Sequence, residues 1–277
     1  MSGSRSQPAS RFMAGTPRLH YLEWNPEGAE TIVLVHGNSA NAWWWKRMAV
    51  LMPSRYRMIA VDQRGHGDSE WVRPAAYSPA DYADDIARFI EECGLERPIV
   101  VGHSMGGINV VAFAERFAAH ARAAVAIDLA VTSSDKRDRY LRRLKALPTV
   151  MYPDLETARK RFRLVPSEGD IPHTILAEIA ERSLARTEEG RYTLKFDRES
   201  FFGSDGLDVL SAIRSVRVPL LLIRGERSRI MTAEGAQRAV ESNPHARLKV
   251  IAGAHHHLPL ERPDELARLI EEFASGL

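Results

Sequence analysis

The chain has 277 residues, of which 44% are hydrophobic and 27% charged, with a net charge of +2 and one cysteine. This length and apolar content suit one sizeable α/β core, and the near-balanced charge excludes an overall drive toward nucleic acid or a membrane surface. No apolar run approaches the roughly 18–20 residues that a membrane span needs, and Cys93 alone makes no internal disulfide, so a cytoplasmic protein is the expectation.

The N-terminal "MSGSRSQPASRFMAG" has no apolar h-region, so residues 1–18 read as a flexible polar extension rather than a secretory signal. Leu19–Trp24 reads as an edge strand. "TIVLVHG" (Thr31–Gly37) and "MIAVDQRG" (Met58–Gly65) are continuous apolar runs, the pattern of parallel strands buried on both faces. "SPADYADDIARFIEECG" reads as a helix with Ser78 as N-cap, Pro79 at its first position, Asp81 completing a capping pair and Gly94 ending it. Cys93, near that helix end, is a packing residue rather than a nucleophile. "IVVGHS" (Ile99–Ser104) is another strand, followed at once by the helical "MGGINVVAFAERFAAH", and "AAVAIDLA" (Ala123–Ala130) is the next.

The alternation then breaks until about Leu207. That region is poor in β-branched clusters, carries charged helix-like runs, and is punctuated by Pro148, Pro153, Pro166 and Pro172. It is too long for a loop and reads as a helical cap over 131–207. "PLLLIRG" (Pro219–Gly225) and "LKVIAG" (Leu248–Gly253) resume the strands, with helices in "TAEGAQRAVESN" and "RPDELARLIEEFASG". Strands alternating with helices predict a doubly wound, mostly parallel α/β sheet, with the core over 19–130 and 208–277.

"VVGHSMGG" places Ser104 in Gly-x-Ser-x-Gly between a strand and a helix, with Gly102 and Gly106 at minus and plus two. A nucleophile on so sharp a turn crowds its neighbours, so only the smallest side chains fit there, and the helix N-terminus behind it favours developing negative charge. With "LVHGNSANAWWW" after one strand, "VDQRGHGDS" (Val61–Ser69) after the next, and a histidine loop near the C-terminus, the chain resembles the α/β-hydrolase family from about Leu19 onward. The resemblance implies an oxyanion hole from the backbone N–H groups of Asn38 and Met105. It also implies that the loop holding His66 is architecture rather than chemistry.

"IAGAHHHLPLERP" holds His255, His256 and His257. Adjacent histidines splay in different directions and no second cluster supplies partners, so neither a metal nor a cofactor is expected. In the family pattern a glutamate lies five residues after the catalytic histidine and a proline two further on, which implies His256 as general base. The usual acid address, in "RGERSRIMT", holds Ser228 and Arg229 instead of a carboxylate. Two candidates remain. Asp128 ends the strand at Ala123, where certain branches of the family keep their acid and where an unpaired aspartate would be costly. Glu226 lies nearer the usual address.

The implied activity is a serine hydrolase cleaving a small-molecule carboxylic ester or lactone. The alternatives are a cofactor-free oxygenase or C–C lyase using a His–Asp pair, or a non-catalytic ligand-binding relative. "WWW" at Trp43–Trp45 is expected to wall the acyl pocket, with at least one of the three in the core. Between Lys136 and Arg163 the cap holds ten basic and three acidic residues, a net +7, which reads either as solvated helix faces or as a rim steering an anionic substrate.

Overall fold

The computed structural model describes residues 7–132, 135–201 and 207–277. Residues 1–6 of the expected extension, and 133–134 and 202–206 of the expected cap, lie outside the described residues. Its strands are β1 (Ala9–Met13), β2 (Leu19–Trp24), β3 (Glu30–Val35), β4 (Tyr56–Val61), β5 (Ile99–His103), β6 (Ala123–Ile127), β7 (Leu184–Arg186), β8 (Tyr192–Leu194), β9 (Leu220–Gly225) and β10 (Ala246–Ile251). Eight of them form one sheet in the order β1-β2-β4-β3-β5-β6-β9-β10. The β1/β2 and β2/β4 pairs are antiparallel, and all pairs from β4 to β10 are parallel.

The helices are α1 (Lys46–Leu51), α2 (Pro79–Glu92), α3 (Met105–Arg116), α4 (Asp135–Ala146), α5 (Leu155–Arg161), α6 (His173–Arg182), α7 (Val209–Ser215), α8 (Ala233–Ser242), α9 (Leu258–Glu261) and α10 (Pro263–Ser275). Helices α2, α3, α7 and α8 cover one face of the sheet, where Val33, Val35 and Val100 point, while α1 and α10 cover the other, where Ile32, Leu34 and Val101 point. Both faces are buried, which is why these strands read as unbroken apolar runs. Ser78 caps α2 as expected, its hydroxyl accepting from the Asp81 N–H while the Asp81 carboxylate accepts from the Ser78 N–H.

Two expectations need correction. Within the N-terminal extension, Ala9–Met13 is ordered as β1, because it pairs in register with β2 and Arg11 reaches the buried Glu23 carboxylate at 2.6 Å. The cap is not wholly helical either. Besides α4, α5 and α6 it carries the antiparallel ribbon β7–β8, folded around the glycine turn in "RTEEGRYT". The cap rests on the loop after β4: the Asp197 N–H donates to the Gly65 carbonyl at 2.7 Å, the Gly67 N–H donates to the Lys195 carbonyl at 2.8 Å, and the Tyr77 hydroxyl donates to the Asp197 carboxylate at 2.6 Å. His66 is fully buried in this seam, and burial lowers its pKa to about 3.

Candidate active site

Strands β4, β3, β5, β6, β9 and β10 run the same way, so the loops leaving their carboxyl ends gather at one edge of the sheet, the usual place for a site in such a fold. Ser104 stands there between β5 and α3 with φ 56° and ψ −118°, a strained conformation for a residue other than glycine. The neighbouring glycines make the turn possible. A Cβ on Gly102 would lie 2.1 Å from the Gly106 carbonyl oxygen, and one on Gly106 would lie 2.4 Å from the carbonyl oxygens of Val35 and His36. Backbone atoms cannot rotate away as a side chain can. Gly106→Ala is therefore expected to cost about 2–3 kcal/mol and lower Tm by roughly 5 °C or more, as read by thermal unfolding. An unchanged Tm would contradict this close approach.

His256 Nε2 lies 3.0 Å from Ser104 Oγ, and His256 Nδ1 lies 2.8 Å from Asp128 Oδ1. Asp128 follows β6 with φ 47° and is fully buried. Its carboxylate accepts from the Gly225 N–H at 2.8 Å and from the Ser228 hydroxyl at 2.5 Å. So Ser228, standing where a carboxylate was expected, grips a carboxylate supplied by the adjacent strand. Glu226 faces elsewhere: it is exposed and accepts from the Gly253 N–H at 2.7 Å.

Burial pushes the Asp128 carboxyl up to about 6, against the restraining hydrogen bonds from Ser228 and Gly225. Burial also lowers His256 to about 3, so near pH 7 its imidazole is neutral and has a lone pair for a proton. The three adjacent histidines diverge, as adjacency demands. The His255 N–H donates to Glu261 at 2.9 Å, His256 joins Ser104 and Asp128, and His257 Nε2 donates to the Pro166 carbonyl at 2.7 Å.

His103 was not singled out from the sequence. Its Nε2–H donates to the His256 carbonyl at 2.8 Å, tying the histidine loop to the end of β5. It also brings a third imidazole close, since His103, His256 and His257 present ring nitrogens within 4.8 Å of one another. A metal there would compete with the bonds His256 already makes to Ser104 and Asp128. A histidine inside Gly-x-Ser-x-Gly was the available signal, but its partner is 153 residues away.

Asn38 and Met105 border the same cavity as Ser104 and His256. Among the described residues, the backbone N–H of neither donates a hydrogen bond to a protein acceptor. The Asn38 amide is held by the Ser200 carbonyl of the cap at 3.2 Å. The cavity measures about 730 Å³, and its walls are mostly apolar, including Met105, Ile108, Val131, Leu210 and Ile230. None of the three tryptophans lines it, which corrects that expectation. Trp45 is packed in the core, Trp44 packs against Phe162 and Ile179 of the cap, and Trp43 lies beneath the Arg182 guanidinium at 3.7 Å.

A sequence model described as the alpha/beta hydrolase family matches residues 32–269. The chain is 28% identical over 245 residues to the 2-(acetamidomethylene)succinate hydrolase of Mesorhizobium japonicum, covering 87% of each protein. It is 25% identical over 276 residues to a bifunctional esterase/perhydrolase of Acinetobacter calcoaceticus, covering 92% of this chain and 95% of that one. A crystal structure of E-2-(acetamidomethylene)succinate hydrolase superposes with a TM-score of 0.84 at 27% identity, covering 97% of this chain and all of the other.

Proposed function

The chain belongs to the alpha/beta hydrolase family, and on that premise we propose that it is a serine hydrolase of a small carboxylic ester or lactone. The observation that carries this reading is the continuous relay Ser104–His256–Asp128, with contacts of 3.0 and 2.8 Å. Ser104 Oγ attacks the carbonyl carbon while its proton passes to His256 Nε2. The oxyanion is held by the N–H groups of Asn38 and Met105, each such donor being worth roughly 3–4 kcal/mol. His256 then protonates the departing alkoxide, leaving an acyl-enzyme on Ser104. Water attacks that ester, gives its proton to His256, and the proton returns to Ser104 as the acid leaves. Asp128 orients the imidazole and stabilises its charged form. The reading predicts covalent labelling of Ser104 by a fluorophosphonate and hydrolysis of p-nitrophenyl acetate and butyrate. A protein that neither labels nor hydrolyses these esters would overturn it.

The pH dependence follows from the Asp128–His256 pair. The relay works with Asp128 ionised and His256 neutral, and the carboxyl lifted to about 6 is the later of the two to lose its proton as pH rises. We expect kcat/KM for p-nitrophenyl butyrate to fall about tenfold per pH unit below about 6 and to level off above 7. A flat profile between pH 5 and 7 would contradict it.

A further inference from the structure

Apart from His256, two ionisable charged side chains border the cavity among the described residues, Asp208 and Arg238. They differ in what already holds them. Asp208 is the N-cap of α7, its carboxylate accepting from the Ser211 N–H at 3.2 Å and the Ser211 hydroxyl at 2.7 Å. Arg238, on α8, makes no ion pair and no hydrogen bond among the described residues. Two less exposed arginines are ion-paired, Arg57 with Glu23 at 2.7 Å and Arg64 with Asp85 at 2.5 Å. On a mostly apolar wall the Arg238 guanidinium presents five donors and a positive charge that no carboxylate among the described residues meets, since Asp208 is engaged with Ser211.

A second observation points the same way. Tyr140 and Leu141 of α4 border the same cavity, so this helix forms part of its wall. Its exposed Lys136, Arg139, Arg142 and Arg143 belong to the basic stretch seen in the sequence. A cationic helix beside a mostly apolar chamber raises the local concentration of anions, and a fork of donors on the chamber wall offers one anion a berth.

We propose that the substrate is an ester carrying a carboxylate remote from the scissile bond, and that Arg238 receives that carboxylate. The proposal rests on the serine-hydrolase reading for the bond that breaks, but not for the anion that binds. The apolar side chains of the cavity wall then hold the methylene chain joining the two groups. The pairing is partly solvated because Arg238 is exposed, so its effect is a selectivity of modest size rather than an absolute requirement.

The test compares p-nitrophenyl hydrogen adipate with its methyl ester, which has the same reacting carbonyl and no charge. Wild type is expected to favour the acid in kcat/KM by about five- to tenfold at low ionic strength, with the ratio shrinking as salt is added. Arg238→Gln is expected to bring the ratio to about one, while Lys249→Gln, a charge control on exposed β10, leaves it in place. A wild-type preference for the methyl ester, or equal ratios in wild type and Arg238→Gln, would overturn the proposal. Calorimetry with adipate itself separates the two readings, since it needs no turnover. If wild type cleaves neither ester, the hydrolase reading fails. Adipate binding that weakens in Arg238→Gln then still supports the anion site, and binding that is absent or unaffected rejects it.

Discussion

Ser104→Ala is expected to lower turnover of p-nitrophenyl butyrate by about 10⁶-fold, the scale on which a nucleophile is lost from a serine relay. The size follows from what the hydroxyl does. Without it no acyl-enzyme forms, and the neutral His256 has only water to activate. What persists is binding and the two proposed oxyanion donors, which together leave about 10³–10⁴ over the uncatalysed reaction. The substitution removes one oxygen from a residue whose backbone is held by the Ser104 N–H to Ile127 carbonyl bond at 2.8 Å, so the fold and its Tm should be retained. A variant keeping more than a tenth of wild-type turnover would remove Ser104 from the chemistry. It would favour the oxygenase or lyase alternative, in which the His256–Asp128 pair acts and the serine has a lesser part.

Asp128→Asn should lower turnover by about 10⁴-fold, as replacing the acid of a triad does, whereas Glu226→Gln should leave it within about a factor of three. In the first variant His256 loses the carboxylate 2.8 Å from Nδ1, so the ring adopts the wrong tautomer and its charged form loses its counter-ion. In the second, the side chain altered is an exposed one that holds the Gly253 N–H. Stability separates chemistry from folding. Asp128 has a folded pKa of about 6, above the roughly 3.9 of an unfolded aspartate. Its stabilising contribution is therefore full below about pH 4 and is lost as pH rises through about 6. At pH 7–8 the carboxylate is a burden on the fold, and Asp128→Asn should unfold within about 3 °C of wild type or above it. Because the Ser228 hydroxyl touches the same carboxylate oxygen that holds His256, adding Ser228→Asp to Asp128→Asn should recover at least about tenfold in turnover. Equal losses in Asp128→Asn and Glu226→Gln, or a full loss only in the latter, would move the acid to Glu226.

The amounts legible in the chain differ from element to element, for physical reasons. β3, β5 and β6 announce themselves because two helical layers bury both their faces, leaving no polar alternation. Ser104 announces itself because the crowding at Gly102 and Gly106 arises within one turn, between atoms a few residues apart and the end of β3. β1 does not, since its residues are mostly exposed and only pairing with β2 orders them. The β7–β8 ribbon is three residues a side, too short for a period to emerge. The tryptophans misled because aromatic size predicts burial but not which of three layers does the burying.

The sequence by itself determined the alternation of strands and helices, the strained turn at Ser104, and the loop from which His256 comes. Each is a local pattern in which neighbouring residues constrain one another. Which carboxylate faces His256 is not local. It depends on β6 and β9 lying side by side, so that the Gly225 N–H and the Ser228 hydroxyl reach Asp128 across about a hundred residues of chain. The same holds for the His103 bond to the histidine loop and for the place of Arg238 on the cavity wall. Those relations exist only once hydrophobic burial has stacked the layers and brought the strand ends to one edge.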